Sequence, residues 1–173
     1  MGLMDTLTGR GKDREFPFSP GADEDADILD TLKKEHEEVA ELLSQLVKSD
    51  RGAERKALLK QIKTALLPHL RAEEKIVYNG IYSLKDKEAK QDSAEGYMEH
   101  QLAEKMLVTL EHIENAMSPE FAAGSKVLKE MIEHHVEEEE SNVWKDVKQN
   151  FSSDDRIAMN RKFMAQKKKI RVS

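Results

Sequence analysis

The chain has 173 residues, enough for one domain whose core needs neither disulfides nor a structural metal. Charged residues make up 36% and aromatics only 5%, with 8 Gly and 4 Pro, a balance that suits solvent-facing helices and excludes a mainly β fold. Cysteine is absent, which excludes thiolate ligands, iron–sulfur clusters and cysteine nucleophiles, and 34 acidic against 28 basic residues argue against nucleic acid as a partner.

No apolar run approaches the length of a membrane span, and the N-terminus lacks the apolar core of a signal peptide. A cytoplasmic, all-α protein that does not engage membranes is the expectation.

Residues 1–26 mix Gly, Pro, Asp and basic residues without periodicity, and Phe16-Pro17-Phe18-Ser19-Pro20-Gly21 blocks regular structure. This segment reads as an extended or disordered arm whose two rings are available to pack on the rest. From Asp27 the pattern is helical, with Ile28, Leu32, Val39, Leu42, Leu43 and Leu46 on one stripe, and His36 falls on it. Ser49-Asp50-Arg51-Gly52 ends that helix.

A second helix from about Ala53 to Tyr82 carries Leu58, Leu59, Ile62, Leu66, His69, Glu73, Ile76 and Val77, with Pro68 expected to kink it before its histidine. Lys85 to Gln91 reads as a charged connection, and Ser93 and Glu95 as the start of a third helix through Tyr97, His100, Ala103, Leu107 and Leu110 to about Met117. Ser118-Pro119-Glu120 opens a fourth, with Phe121, Leu128, Met131, His135, Glu139 and Val143, to about Asn150. Residues 151–173 read as a short helix capped by Ser152-Ser153-Asp154-Asp155 and a solvated basic tail over Lys167 to Arg171.

The chain repeats itself. His36 pairs with His100 and His69 with His135, at offsets of 64 and 66. Neighbours match as well: Glu35-His36 with Glu99-His100, His69-x-x-x-Glu73-Glu74 with His135-x-x-x-Glu139-Glu140, and, nine residues beyond each second histidine, Tyr78 with Trp144. A histidine and a carboxylate four residues apart project about 40° from one another on one helix face. The unit is therefore a helical hairpin with one inward histidine on its first helix and a His–Glu pair on its second, and two hairpins make an antiparallel four-helix bundle over residues 27–150.

A single histidine on an apolar face is usually an ordinary core residue. Four of them with two carboxylates, related by pseudo-symmetry, are different, because burying such a set without a cation costs several kcal/mol per group. Nitrogen and oxygen donors suit iron, manganese or zinc, and two acids able to bridge favour a dinuclear site. His36 and His69 are assigned to one metal and His100 and His135 to the other, or exchanged between them, with Glu73 and Glu139 bridging. His134-x-x-x-Glu138 has the same spacing, but only the His135 register keeps the repeat aligned. His112 is expected at the surface. Tyr97, one turn before His100, is a candidate pocket phenol, with bundle packing the competing reading.

Glu35-His36, His69-x-x-x-Glu73-Glu74, Glu99-His100 and His135-x-x-x-Glu139-Glu140, in this order and spacing, resemble the hemerythrin-like, or HHE cation-binding, family. The resemblance implies an up-down-up-down bundle around a non-haem centre of two iron ions, bridged by an oxo or hydroxo group, with an open position for dioxygen, nitric oxide or peroxide. The family's oxygen carriers place a further histidine one turn after the first on the third helix, where this chain has Glu104. That carboxylate is either one more ligand or a solvated acid, and its presence argues against simple oxygen carriage. The expected role is binding or sensing of a small oxidant, with turnover of peroxide or nitric oxide, or iron storage, as alternatives. No feature identifies a protein partner.

Overall fold

The computed structural model describes residues 23–172, so the expectation for the Phe16 and Phe18 rings lies outside the described residues. The helices are α1 (Ile28–Lys48), α2 (Gly52–Glu73), α3 (Asn79–Tyr82), α4 (Lys87–Glu111), α5 (Pro119–Glu138), α6 (Trp144–Asn150) and α7 (Ser153–Lys167). A wider π turn over Glu74–Tyr78 joins α2 to α3 without leaving helical backbone, and another over Glu139–Val143 joins α5 to α6. The described residues thus form five helical rods and no strand. Short connections make successive rods antiparallel, and α1, α2, α4 and α5 pack in a closed ring.

Local chemistry sets the ends. Asp27 accepts from the Leu29 amide to cap α1, Ser118 accepts from Phe121 to cap α5, and Ser152 with Asp155 forms a reciprocal capping box on α7. Two boundaries differ from the sequence reading. The third bundle helix starts at Lys87, because Asp86 caps it through Glu88 and Ala89, and its first turns carry little apolar periodicity beyond the buried Ala89. It stops at Glu111, and a loop in which Asn115 accepts from the Met117 amide leads to α5. Pro68 sits inside α2, immediately before His69.

Two apolar clusters fill the bundle. One includes Val39, Leu43, Leu46, Ile62, Leu66, Leu107, Leu110, Phe121 and Leu128, and the other Ile28, Leu32, Val77, Tyr78, Ile81, Val143, Trp144, Val147 and Phe163. On each of the four bundle rods the histidine or carboxylate candidates stand between residues of these two clusters. The polar layer is therefore sealed by hydrocarbon above and below.

Helix α7 is part of this packing. It lies on α1, α2 and the Glu74–Tyr78 turn, with Phe163 fully buried. The basic tail is not wholly solvated, because Lys167 reaches inward to Glu35 at 2.5 Å with its side chain only 9% exposed.

Candidate metal centre

His36, His69, Glu73, His100, His135 and Glu139 are all buried, at no more than 6% exposure. Among the described residues, two sets converge closely enough for one cation each: His36, His69 and Glu73, and Glu73, His100 and His135. The carboxylates span the pairs. Glu73 Oε2 lies 3.7 Å from His69 Nε2 and 3.5 Å from His100 Nε2. Glu139 Oε2 lies 3.4 Å from His36 Nε2 and 3.5 Å from His135 Nε2.

Each imidazole is held from behind by the next rod. His69 Nδ1 donates to Glu35 (2.9 Å), His100 Nδ1 to Glu74 (3.1 Å), His135 Nδ1 to Glu99 (2.8 Å) and His36 Nδ1 to Glu140 (3.0 Å). The acids of α1, the α2–α3 rod, α4 and the α5–α6 rod thus close a ring around the bundle. An ionised carboxylate only accepts, so each Nδ1 carries a proton and each Nε2 is turned inward. From sequence alone, Glu35, Glu74, Glu99 and Glu140 read as mostly solvated charges, with contact to a ligand imidazole open for some; the structure turns all four onto imidazoles. Each adjoins a matched histidine or carboxylate of the repeat, a position that leaves its direction open.

The inward atoms lack partners. His36 Nε2, both oxygens of Glu73 and Glu139 Oε2 are buried without a hydrogen bond, and the His100 and His135 Nε2 atoms approach to 3.1 Å. Lone pairs and carboxylate oxygens converging in hydrocarbon are tolerable only around positive charge, so these residues fit a cation, and their division into two triads fits a metal pair.

Titration behaviour agrees. Burial and the neighbouring Glu139 carboxylate push Glu73 well above the usual carboxylate range. Burial holds His69 down to about 4 and also lowers His135. His36 is raised to about 9, because the Glu139 and Glu73 carboxylates outweigh its burial. Protons on His36 and Glu73 thus stand in for part of the charge that a metal would bring, and metal binding will release them.

Tyr78 and Trp144 complete the layer. The Tyr78 hydroxyl is 3.4 Å from His100 Nε2, and Trp144 Nε1 donates to Glu139 Oε1 at 3.2 Å while its ring stacks on His36. Both follow a central carboxylate by five residues, which in an unbroken α-helix puts them about 140° away from it. The π turns absorb an extra residue and bring them back toward the carboxylate's side, as π bulges at functional sites do.

The remaining candidates lie elsewhere. The Tyr97 hydroxyl instead faces Asn79 Oδ1 (2.6 Å) and the Glu74 carbonyl (3.0 Å), two acceptors for its one proton, and only its ring reaches Tyr78. Both Glu104 oxygens accept from Arg71 at 3.0 Å, on the outside of the bundle. His134 is exposed, 3.6 Å from Glu99, and His112 is exposed against the Val108 carbonyl.

A helical bundle sealing two histidine–carboxylate triads defines a cation-binding protein. The chain belongs to the family described as Hemerythrin HHE cation binding domain, which matches residues 27–145 and leaves α7 outside. It is similar, at 28% identity over 147 residues, to a protein of Nostoc sp. (strain PCC 7120 / SAG 25.82 / UTEX 2576) described as DNA nickase. The alignment covers 85% of this chain and 41% of that protein, so the chain spans about two fifths of its relative's length. No solved structure matches. None of the described helices is long and apolar enough to cross a membrane.

Proposed function

We propose that the chain is a non-haem di-iron protein that binds or senses dioxygen, nitric oxide or peroxide. The observation that carries this reading is the donor set: two histidines per half, with the Glu73 and Glu139 carboxylates between the halves and no thiolate. Two imidazoles and a carboxylate that leave positions open are the donors of ferrous sites that react with oxygen. Iron held there would supply one-electron redox chemistry and an exchangeable position for a small ligand.

The protein's own residues would set the terms. His36, His69, His100 and His135 would be terminal ligands, held in one tautomer by the ring of four acids, with Glu73 and Glu139 bridging. The buried Tyr78 hydroxyl, 3.4 Å from His100 Nε2, would be a hydrogen-bond donor to a small ligand held beside that histidine. A cavity of about 120 Å³ between α4 and α5, lined by His100, His135, Leu102, Ala103, Met131 and Ile132, gives room for a diatomic molecule or peroxide. Anaerobically reduced, iron-loaded protein should change its visible spectrum on addition of dioxygen, nitric oxide or peroxide. No change with any of the three would refute the reading.

The relative described as a DNA nickase raises a second reading, metal-dependent nicking of DNA. A net charge of −6 and donors buried beneath the surface place it second. Supercoiled plasmid incubated with iron- or manganese-loaded protein should remain closed. Open circles abolished by Glu73→Gln would reverse the order.

A further inference from the structure

Resting on the metal-binding reading, we propose that metal ions enter the buried layer through an acidic mouth between α4 and the α5–α6 rod. Glu88, Asp92, Glu95 and Glu99 follow at steps of four, three and four residues on α4, one stripe about 16 Å long. The last of them, Glu99, is the acid that holds His135 Nδ1. Facing this stripe from the other rod are Glu138 and Asp146.

The stripe leads to an opening. A small cavity of about 10 Å³, room for one water-sized body, is lined by Asp92, Glu95 and Glu99 on one side and by His135, Glu138 and Glu139 on the other. Glu139, 1% exposed, lines it with its Oε2 unpartnered, so a buried ligand atom waits at the inner end of a row of acids.

The outer acids act on one another. Beyond the effect of burial, Glu88 and Glu138 raise Asp92, and Asp92, Asp86 and Glu88 raise Asp146, with Lys145 the opposing cation in both cases. Asp92 and Glu95 have no salt-bridge partner among the described residues, whereas other acids near the layer are committed, Glu35 to Lys167 and Glu104 to Arg71. Acids that outnumber the one opposing lysine at a narrow opening focus a potential that concentrates cations and speeds their arrival.

The test is the rate at which metal-free protein takes up Co²⁺, followed by stopped-flow absorbance of the bound ion at two ionic strengths. The triple variant Asp92→Asn, Glu95→Gln, Glu138→Gln should load about tenfold more slowly at low salt, lose most of its salt dependence and reach the wild-type stoichiometry. A control, Glu41→Gln, Glu114→Gln, Glu130→Gln, removes as much charge from exposed positions elsewhere and should load like wild type. Equal rates in wild type and triple variant, or equal slowing in the control, would overturn the entry route. Fewer ions bound by the triple variant at equilibrium would make these acids ligands instead of a path. Wild-type protein that takes up no metal would remove the metal reading itself, a separate result.

Discussion

Gly96 should be irreplaceable, and the reason can be worked from distances. A Cβ built on it would stand 2.6 Å from the Tyr78 hydroxyl oxygen, 2.7 Å from Cζ and 2.8 Å from Cε2, closer than side chains tolerate. The Tyr78 ring cannot retreat, because it is fully buried between Tyr97 and His100. Overpacking of this kind costs about 1–3 kcal/mol, while replacing a mid-helix glycine with alanine returns about 1 kcal/mol of helix propensity. Gly96→Ala should therefore destabilise the metal-free protein by about 0–2 kcal/mol in urea unfolding, in place of the stabilisation of about 1 kcal/mol usual for such a change. Tyr78→Phe should rescue little, since two of the three close atoms belong to the ring, whereas Tyr78→Leu should remove most of the Gly96→Ala penalty in a double-mutant cycle. A Gly96→Ala protein stabilised by the full helix-propensity gain of about 1 kcal/mol would refute the placement of Tyr78 against α4.

Glu99→Gln and Glu140→Gln, which weaken the hold on His135 and His36, should each lower metal affinity about 10- to 100-fold, measured by competition with a chelator, without unfolding the chain. Glu104→Ala should leave metal stoichiometry unchanged and alter stability by less than about 0.5 kcal/mol, because its partner Arg71 is at the surface. Lys167→Met removes the ammonium that lies over Phe163 and leaves the buried Glu35 carboxylate with His69 as its remaining partner, so a loss of about 1.5–3 kcal/mol is expected by thermal or urea unfolding.

Metal-free protein should be most stable near pH 6.5. His69, held near 4, costs stability as pH falls from 6.5, and His36, raised to about 9, loses its contribution as pH rises from 6.5 through 9. The raised Glu73 costs stability as pH rises from 4.5, which the lowered His135 offsets on the acid side, and each of His69 and His36 accounts for up to about 3 kcal/mol. A flat urea profile from pH 4 to 9 would contradict these environments.

The bundle was legible because its signal is periodic and doubled. Apolar stripes at helical spacing gave the rods, and the offset between His36-to-His69 and His100-to-His135 gave their pairing into hairpins. The same repeat chose His135 over His134, and the structure brings His135 to the layer and leaves His134 outside. Three things were less legible, each for a physical reason. A π turn has no composition of its own, so the inward return of Tyr78 could be inferred only from its match to Trp144, and Tyr97 drew attention in its place. An acid beside a ligand looks the same whether it points to solvent or to the next helix, so the ring of Glu35, Glu74, Glu99 and Glu140 needed three dimensions. Lys167 is part of a basic run, and only the packing of α7 shows that it turns inward.

On the proposed reading, six buried side chains hold two metal ions. Anaerobic titration of metal-free protein with ferrous iron, followed by desalting and elemental analysis, tests it most directly. Two irons per chain are predicted for wild type, with clear loss in Glu73→Gln and in Glu139→Gln. Retention of no iron by a folded wild-type chain, or of two irons after either carboxylate is replaced, would contradict it.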